Sequence, residues 1–287
     1  MTILVTGAGG GLGRALCRTL RSRSGAPVKA VDRLGNGKEE IDACDVTDPA
    51  AVEVLVARVR PSLVYHLAGS FSNDYSIDYP ANALGARYLM ESAARHVPGA
   101  RIVLMGSAAE YGDVRPGENP VPEDRVLRPV TIYGLTKSIQ THFASHFARS
   151  RGSDVVVARL FNLFAPGLSE RLFVGRVERL IARYLRGEVA TIDVGSLDGV
   201  RDYVGLEEAL GQIEMIAARG KAGEIYHVAS GVGITMRELL RRMLEAACVP
   251  PGAVREVAPA SVGRTGFDVP QIWADVSRTR ALAAEAA

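Results

Sequence analysis

The amino-acid sequence predicts an α/β protein, a doubly wound parallel sheet with a smaller C-terminal lobe whose segments interleave with it. Three observations carry that expectation. Short β-branched runs alternate with longer segments of helical period as far as residue 161, the pattern of βαβ units. The runs are apolar throughout, as strands covered on both faces are. A glycine-rich turn joins the first run to the first helical segment.

In chain order the strands are "TILVT" (2–6), "VKAVD" (28–32), "SLVYHLA" (62–68), "ARIVLMGS" (100–107) and "DVVVARLF" (154–161). Between them "LGRALCRTLRS" (12–22), "PAAVEVLVARV" (49–59), "NALGARYLMESAARHV" (82–97) and "YGLTKSIQTHFASHFARS" (133–150) read as helices. The pattern then changes. "APGLSERLFVGRVERLIARYLRG" (165–187) reads as a loop and helix, "ATIDVG" near 190 and "EIYHVAS" near 225 return toward a sheet, and "TMRELLRRMLEAA" (235–247) is an amphipathic helix. The expected division is a large domain over 1–165, with returning segments near 190–205 and 223–230, and a second lobe from the rest of 166–287. No internal repeat or low-complexity segment breaks this pattern.

A chain of 287 residues suffices for one large domain or two lobes sharing a core. Its 34 basic and 32 acidic residues nearly cancel, so no long-range positive field marks a nucleic-acid or anionic-membrane binder, and an anionic ligand has to be held by a local site. Cys17, Cys44 and Cys248 lie far apart without a Cys/His cluster, which points away from a disulfide framework or zinc site and toward reduced thiols in the cytoplasm. No basic stretch leads into a long apolar one at the N-terminus, and no window approaches a membrane span of ~20 residues.

The turn "ILVTGAGGGLGRAL" places Gly7, Gly10 and Gly13, with Gly11 and Leu12 between them, where a strand passes into a helix. Glycines there permit positive φ and close backbone approach, and the helix N-terminus offers N–H groups and a positive dipole end to a pyrophosphate. The expectation is a Rossmann-type dinucleotide site. The second strand ends in Asp32, whose carboxylate would accept from ribose hydroxyls and repel a 2′-phosphate, favouring NAD; the adjacent Arg33 would welcome that phosphate, so NADP stays open.

"IYGLTK" supplies Tyr133 and Lys137, which at i and i+4 share a helix face. An ammonium beside a phenol favours the phenolate and brings the tyrosine toward acid–base work at neutral pH. By itself such a pair is most often a solvated helix face. His66 reads as packing beside the cofactor cleft, Trp273 as an anchor between lobes, and Arg171 and Arg176 either as phosphate ligands or as ordinary helix arginines. His142 and His146 lie one helical turn apart without a third ligand nearby, so no metal site is expected.

The ordered series of the glycine turn, "CDVTD" (44–48), "YHLAG" (65–69), "NALGARYLMES" (82–92), "GSAAEYG" (106–112), "YGLTK" (133–137), "RLFNLFAPG" (159–167), "DGVRDYV" (198–204), "YHVASG" (226–231) and "PQIWADVSR" (270–278) resembles the extended short-chain dehydrogenase/reductase family, in particular its nucleotide-sugar epimerases, dehydratases and reductases. The resemblance implies that Gly7, Gly10 and Gly13 carry the pyrophosphate, Asp32 the ribose, and Asp45 with Val46 the adenine. Leu67, Ala68 and Gly69 would line the cofactor cleft with Asn82 nearby. It further implies Ser107, Tyr133 and Lys137 as the catalytic set: Tyr133 the acid–base group, Lys137 lowering its pKa and binding the nicotinamide ribose, and Ser107 bonding the reacting sugar oxygen. Asn162 and Arg201, with Arg176, would hold the nucleotide-sugar, Arg201 through its diphosphate. The helices over 82–97 and 133–150 would pair two copies as a homodimer; apolar Leu84, Tyr88, Ile139 and Phe143 fit that, and fit packing on the sheet equally.

Several positions depart from the family pattern. Ala165 stands for a usual glycine before proline, Gly205 for a histidine and Gln140 for a glutamate, and the segment 262–270 carries an extra residue that unsettles Arg264 as a phosphate ligand. The two places after Ser107, where the 4,6-dehydratases carry an acidic residue for expelling the C6 hydroxyl, hold Ala108 and Ala109; Glu110 lies one residue further, expected on the opposite face. This points away from dehydration and toward a 4-epimerase of NDP-hexoses, with a 4-keto-6-deoxy-sugar nucleotide reductase and a catalytically silent NAD-sensing protein as the alternatives.

Overall fold

Seven parallel strands form the central sheet of the computed structural model, which describes residues 1–115, 117–258 and 269–284. The first half of the chain runs β1 (Ile3–Thr6), α1 (Gly11–Arg23), β2 (Val28–Asp32), β3 (Ile41–Ala43), α2 (Pro49–Val59), β4 (Leu63–His66), a short α3 (Tyr75–Asp78), α4 (Gly85–His96), β5 (Arg101–Ser107), α5 (Ile132–Arg151) and β6 (Val155–Leu160). There follow β7 (Asn162–Phe164), α6 (Phe173–Leu185), β8 (Ile192–Val194), β9 (Val200–Gly205), α7 (Leu206–Arg219), β10 (Ile225–Val228), β11 (Gly233–Thr235), α8 (Met236–Ala246), β12 (Val254–Glu256), β13 (Gln271–Ile272) and α9 (Ser277–Ala284).

The central sheet has the order β10-β6-β5-β4-β1-β2-β3. The chain moves outward from β1 on one side and crosses to β4 on the other, so a crevice opens between the C-terminal ends of β1 and β4, where ligands of open α/β sheets bind. The apolar runs feed two cores by strict alternation. Ile3, Val5, Val103, Met105, Val156 and Ala158 face α1 and α7, whereas Leu4, Ile102, Leu104, Val155 and Val157 face α2, α4 and α5. Strands buried on both faces leave no polar side to read in the sequence.

Two strand placements differ from the sequence reading. The segments near 190–205 do not return to the central sheet. β8 pairs with β12 as a two-stranded sheet, and β9 lies between β11 and β13, with β7 alongside, in a second, four-stranded sheet. Their apolar residues are claimed by a separate core, in which Ile192 and Val194 meet Val177 of α6 and Leu240 and Met243 of α8. An apolar run reports burial but not which sheet buries it. β10 is the edge strand of the central sheet, against β6. The helix expected from residue 82 begins at Gly85, preceded by a π-helical turn over Tyr79–Leu84 that contains Asn82. Arg264 lies outside the described residues.

Candidate active site

The glycine turn has the tight geometry that its residues predict. Gly7 sits at φ +71°, and a Cβ there would come within 2.5 Å of the Ala68 nitrogen, so only glycine lets the end of β1 lie against the end of β4. A Cβ on Gly13 would meet the Gly7 oxygen at 2.2 Å, which forces α1 against the turn. Gly10 caps α1 with no side-chain bond and no acidic residue in the first turn, so the helix end presents backbone amides fit for an anion. Asp32 is held at this turn, its Oδ2 accepting from Gly9 N at 2.9 Å and its Oδ1 from Arg33 N at 2.8 Å. Arg33 itself is exposed. Around the cleft, Asp45 Oδ1 accepts from Thr47 N and Oγ1, Val46 packs where a Cβ on Gly85 would touch it at 3.0 Å, Leu12 packs on the core, and Gly11 faces Leu168. Gly69 lies against Asn82 Oδ1 and Lys137 Nζ. A carboxylate at the second strand end and uncapped amides at the first helix suit a dinucleotide.

Ser107 ends β5 and caps the short turn Ala108–Glu110, its Oγ accepting from Ala109 N at 3.2 Å. Gly134 packs so closely on that turn that a Cβ would lie 2.3 Å from the Ala109 oxygen, bringing the start of α5 to the serine. The helix start is fixed twice over: Thr131 Oγ1 accepts from Gly134 N, and Asn73 Oδ1 accepts from Ile132 N at 2.9 Å. Tyr133 thereby faces Ser107. Burial pushes its phenol up to about 12, a hydrogen bond with Ser107 acts against that, and Glu110 and Asp78 add to it.

Lys137 departs from expectation. Its Nζ donates to the Met105 carbonyl at 2.7 Å and to Gln140 Oε1 at 2.8 Å, so the ammonium is engaged with β5 and its own helix. In this structure burial, and not the lysine cation, governs Tyr133. The same burial pushes Lys137 down to about 8, with Glu110 opposing. The i,i+4 spacing placed both side chains in one cleft but said nothing of the partners that orient the lysine. Asn82 bridges the opposite wall, accepting from Ser70 N and donating to Ser70 O and Thr136 Oγ1.

A buried polar layer lies behind this cleft. Glu110, with no exposed surface, accepts from Ser107 N at 2.7 Å through Oε1 and from Thr141 Oγ1 and Arg159 through Oε2. Arg159 also donates to the Tyr111 hydroxyl at 2.7 Å, and Tyr111 in turn meets His227 Nε2 at 2.5 Å. His227 Nδ1 lies 2.7 Å from the Asp275 carbonyl, so it donates there and Nε2 is the acceptor for Tyr111. Strand alternation was the expected reason for Glu110 to lie away from the serine, but residues 108–110 form a 3-10 turn, and it is the capping bond to Ser107 N and the Arg159 pair that hold Glu110 inward. The sequence did not single out Arg159, Tyr111 or His227, whose strands read simply as apolar.

On the substrate side Asn162 Nδ2 donates to Asp202 O, and Asn162 pairs in register with Tyr203, one residue beyond that carbonyl. Arg201, on the same face of β9 as Tyr203, donates to the carbonyls of Val200 and Pro270. Arg176 lies in the second turn of α6. Arg171 comes nearer the candidate catalytic pair: its guanidinium sits 5.7 Å above the Phe71 ring, which meets Tyr133 edge-on at 6.3 Å. Ala165 is buried in the core and Gly205 caps α7. Trp273 packs on Gly233, where a Cβ would touch its ring at 2.9 Å. Among the described residues no helix is long and apolar enough to cross a membrane, and no group of three or more His, Cys, Asp or Glu side chains could hold a metal.

The nucleotide-binding crevice and the Ser/Tyr/Lys constellation together define an α/β enzyme of the dinucleotide-dependent kind. Residues 3–229 match the family model described as the NAD dependent epimerase/dehydratase family, and the chain belongs to that family. It is 28% identical to GDP-6-deoxy-D-mannose reductase of Pseudomonas aeruginosa over 69% of this chain and 67% of that one. It is 29% identical to dTDP-glucose 4,6-dehydratase of Streptomyces antibioticus over 86% of this chain and 77% of that one. The solved UDP-glucose 4-epimerase of Thermus thermophilus in complex with NAD superposes with a TM-score of 0.83 at 28% identity, covering 98% of this chain and 92% of that one. Reductase, dehydratase and epimerase are thus represented at nearly equal distance, and the choice among them rests on the site.

Proposed function

We propose that this protein is an NAD-dependent nucleotide-sugar 4-epimerase that oxidises and re-reduces C4 of an NDP-hexose. The observation that carries the reading is the Ser107–Tyr133 pair flanked by Ala108 and Ala109, with the nearest carboxylate, Glu110, locked behind β5. Neither alanine can move a proton, so the site has acid–base means for a C4 hydroxyl but none there for eliminating a C6 hydroxyl.

In this reading the turn of Gly7, Gly10, Gly11, Leu12 and Gly13 holds the pyrophosphate, Asp32 the adenosine ribose, Asp45 and Val46 border the adenine, and Leu67, Ala68, Gly69 and Asn82 border the rest of the cofactor. NAD, when bound, supplies the hydride acceptor and returns the hydride. Ser107 donates a hydrogen bond to the C4 oxygen, Tyr133 takes its proton and gives it back, and Lys137 holds the nicotinamide ribose. Asn162, Arg176 and Arg201 hold the nucleotide and diphosphate. Residues 1–165 with β10 form the cofactor domain, the remainder of 166–287 the substrate lobe, and α4 with α5 pairs two copies through half-buried Leu84, Tyr88, Ile139 and Phe143.

A 4-keto-6-deoxy-sugar nucleotide reductase is the second reading, and one observation favours it. A phenol held up to about 12 stays protonated, ready to donate to a keto oxygen. The test is a panel of UDP-, GDP- and dTDP-hexoses and 4-keto sugars, with and without NADH or NADPH. Inversion at C4 without net use of reduced cofactor supports the epimerase; stoichiometric consumption overturns it in favour of the reductase. Tyr133→Phe is expected to bind NADH but not turn over, and unaffected turnover in that variant overturns both.

A further inference from the structure

Lys137 is held by a closed set of hydrogen bonds that the acid–base assignment does not use. Its Nζ donates both to the Met105 carbonyl and to Gln140 Oε1, and Gln140 Nε2 donates at 3.0 Å to that same carbonyl. Lys137 is 5% and Gln140 0% exposed, so water does not compete for these bonds. A primary amide closes the ring without taking up a proton, because its oxygen accepts from the ammonium while its nitrogen donates to the carbonyl. A glutamate would set a second oxygen against the Met105 carbonyl. A leucine would leave the ammonium one acceptor short in an interior where an underpaired charge is costly.

We propose that Gln140 is a positioning residue: its amide fixes the Lys137 ammonium against the Met105 carbonyl of β5, two residues before Ser107, and so sets where that cation stands for cofactor and tyrosine. The inference rests on the reading of Lys137 as the residue that holds the nicotinamide ribose. It assigns work to a residue one helical turn further along α5, at a position where the sequence departs from the family pattern.

The electrostatic surroundings make the amide consequential. Glu110, on the turn after β5, is the anion that supports Lys137, and Arg159 of β6 shares its charge. His66, at the end of β4, is buried and neutral, with Lys137 helping to hold it so. Asp78, at the end of α3, acts on Tyr133, the other titrating group on α5. Burial holds Lys137 near 8, and the amide oxygen of Gln140 is the neutral acceptor set against its ammonium.

The test follows Lys137 itself, by carbon-13 NMR titration of the lysine ε-methylenes in the cofactor-free full chain, with Lys137→Met to assign the resonance. Gln140→Leu is expected to lower the titration midpoint of Lys137 by about one pH unit, the tenfold change that loss of a bond to a charged group brings. Gln140→Glu is expected to raise it. The pH at which turnover is half-maximal should move in the same directions. Gln140→Met serves as the conservative apolar variant should leucine fail to fold, and circular dichroism checks each. Folded variants in which the Lys137 midpoint stays put overturn the proposal. If Lys137→Met turns over normally, it is the assignment of the site that fails, whatever Gln140 does.

Discussion

Two histidines buried in the neutral form make stability depend on pH in a window where few other groups titrate. His66 bonds Thr6 Oγ1 through Nδ1 at 2.8 Å and is 1% exposed; His227 lies between Tyr111 and the Asp275 carbonyl and is 0% exposed. Burial lowers both from 6.5 to about 3. Because the folded value lies below the unfolded one, the unfolded chain binds more protons, so stability is complete above about pH 6.5 and is lost as pH falls toward 3. At about pH 5 each histidine removes roughly 2 kcal/mol, from 1.5 pH units at ~1.36 kcal/mol per unit, and the two together roughly 4 kcal/mol. That is a large share of the ~5–15 kcal/mol typical of a folded domain. Glu123, beside His227 and raised by its own burial, acts in the opposite sense and offsets part of this. The depressed carboxylates Glu53 and Glu238 contribute only at lower pH. The assay is urea unfolding at about pH 7.5 and about pH 5, on the native chain and on the His66→Asn/His227→Gln double variant. Asparagine retains a polar atom near Nδ1 of His66, and glutamine can both accept from Tyr111 and donate to Asp275. The native chain should lose several kcal/mol between the two conditions and the double variant much less. A loss below about 1 kcal/mol in the native chain, or an equal loss in both, refutes the reasoning.

Glu110→Gln leaves the guanidinium of Arg159 buried without its carboxylate, and the same unfolding assay at neutral pH should read a loss of about 3–5 kcal/mol. Gly112→Ala meets two obstacles, a backbone at φ +58° and a Cβ that would overlap the Arg128 oxygen at 1.8 Å; a destabilisation of at least ~1–3 kcal/mol is expected, and a neutral outcome would show that the 108–128 segment gives way easily. Gly13→Ala drives a methyl against the Gly7 oxygen, so NADH affinity measured by fluorescence titration should fall at least tenfold in a chain that still folds.

The sheet was legible because its signal is redundant. Apolar runs, helical periods and a glycine turn agree about β1, β2, β4, β5 and β6, each of which supplies side chains alternately to the two cores, whereas β3, three residues with only Ile41 buried, was not legible. The second half was less legible for a physical reason: β8, β7 and β11 are three residues each and β13 is two, too short for periodicity to reveal a partner. The candidate site divides in the same way. Tyr133 and Lys137 could be read from local spacing, since one helix face carries both, and Ser107 from the family resemblance. Phe71, Asn73 and Asp78 could not. They act through a loop in which Asp78 is buried and accepts from Ser72 and Asn73, a fold-back that a polar stretch of sequence does not announce.

Glu110 shows how a shift of one residue decides what a carboxylate does. Its register neighbourhood explains why it goes behind the sheet: Gly106 pairs with Arg159 across β5 and β6, and a Cβ on Gly106 would lie 2.8 Å from Glu110 Oε1 and 3.4 Å from the Arg159 Cα. Glycine at 106 opens the space that the carboxylate fills, and the arginine on the next strand supplies the charge that makes filling it favourable. An acid drawn into such a pair has its oxygens taken up by Arg159, Thr141 and the Ser107 amide, and it supports the Lys137 ammonium from behind. On the proposed reading the acid–base face is thereby left to one phenol and one hydroxyl, means for a hydride step at C4 and not for removing water across C5 and C6. A change at Glu110 would unbalance its pair with Arg159, so on this reading an acid for dehydration would have to be supplied at another position, such as Ala109.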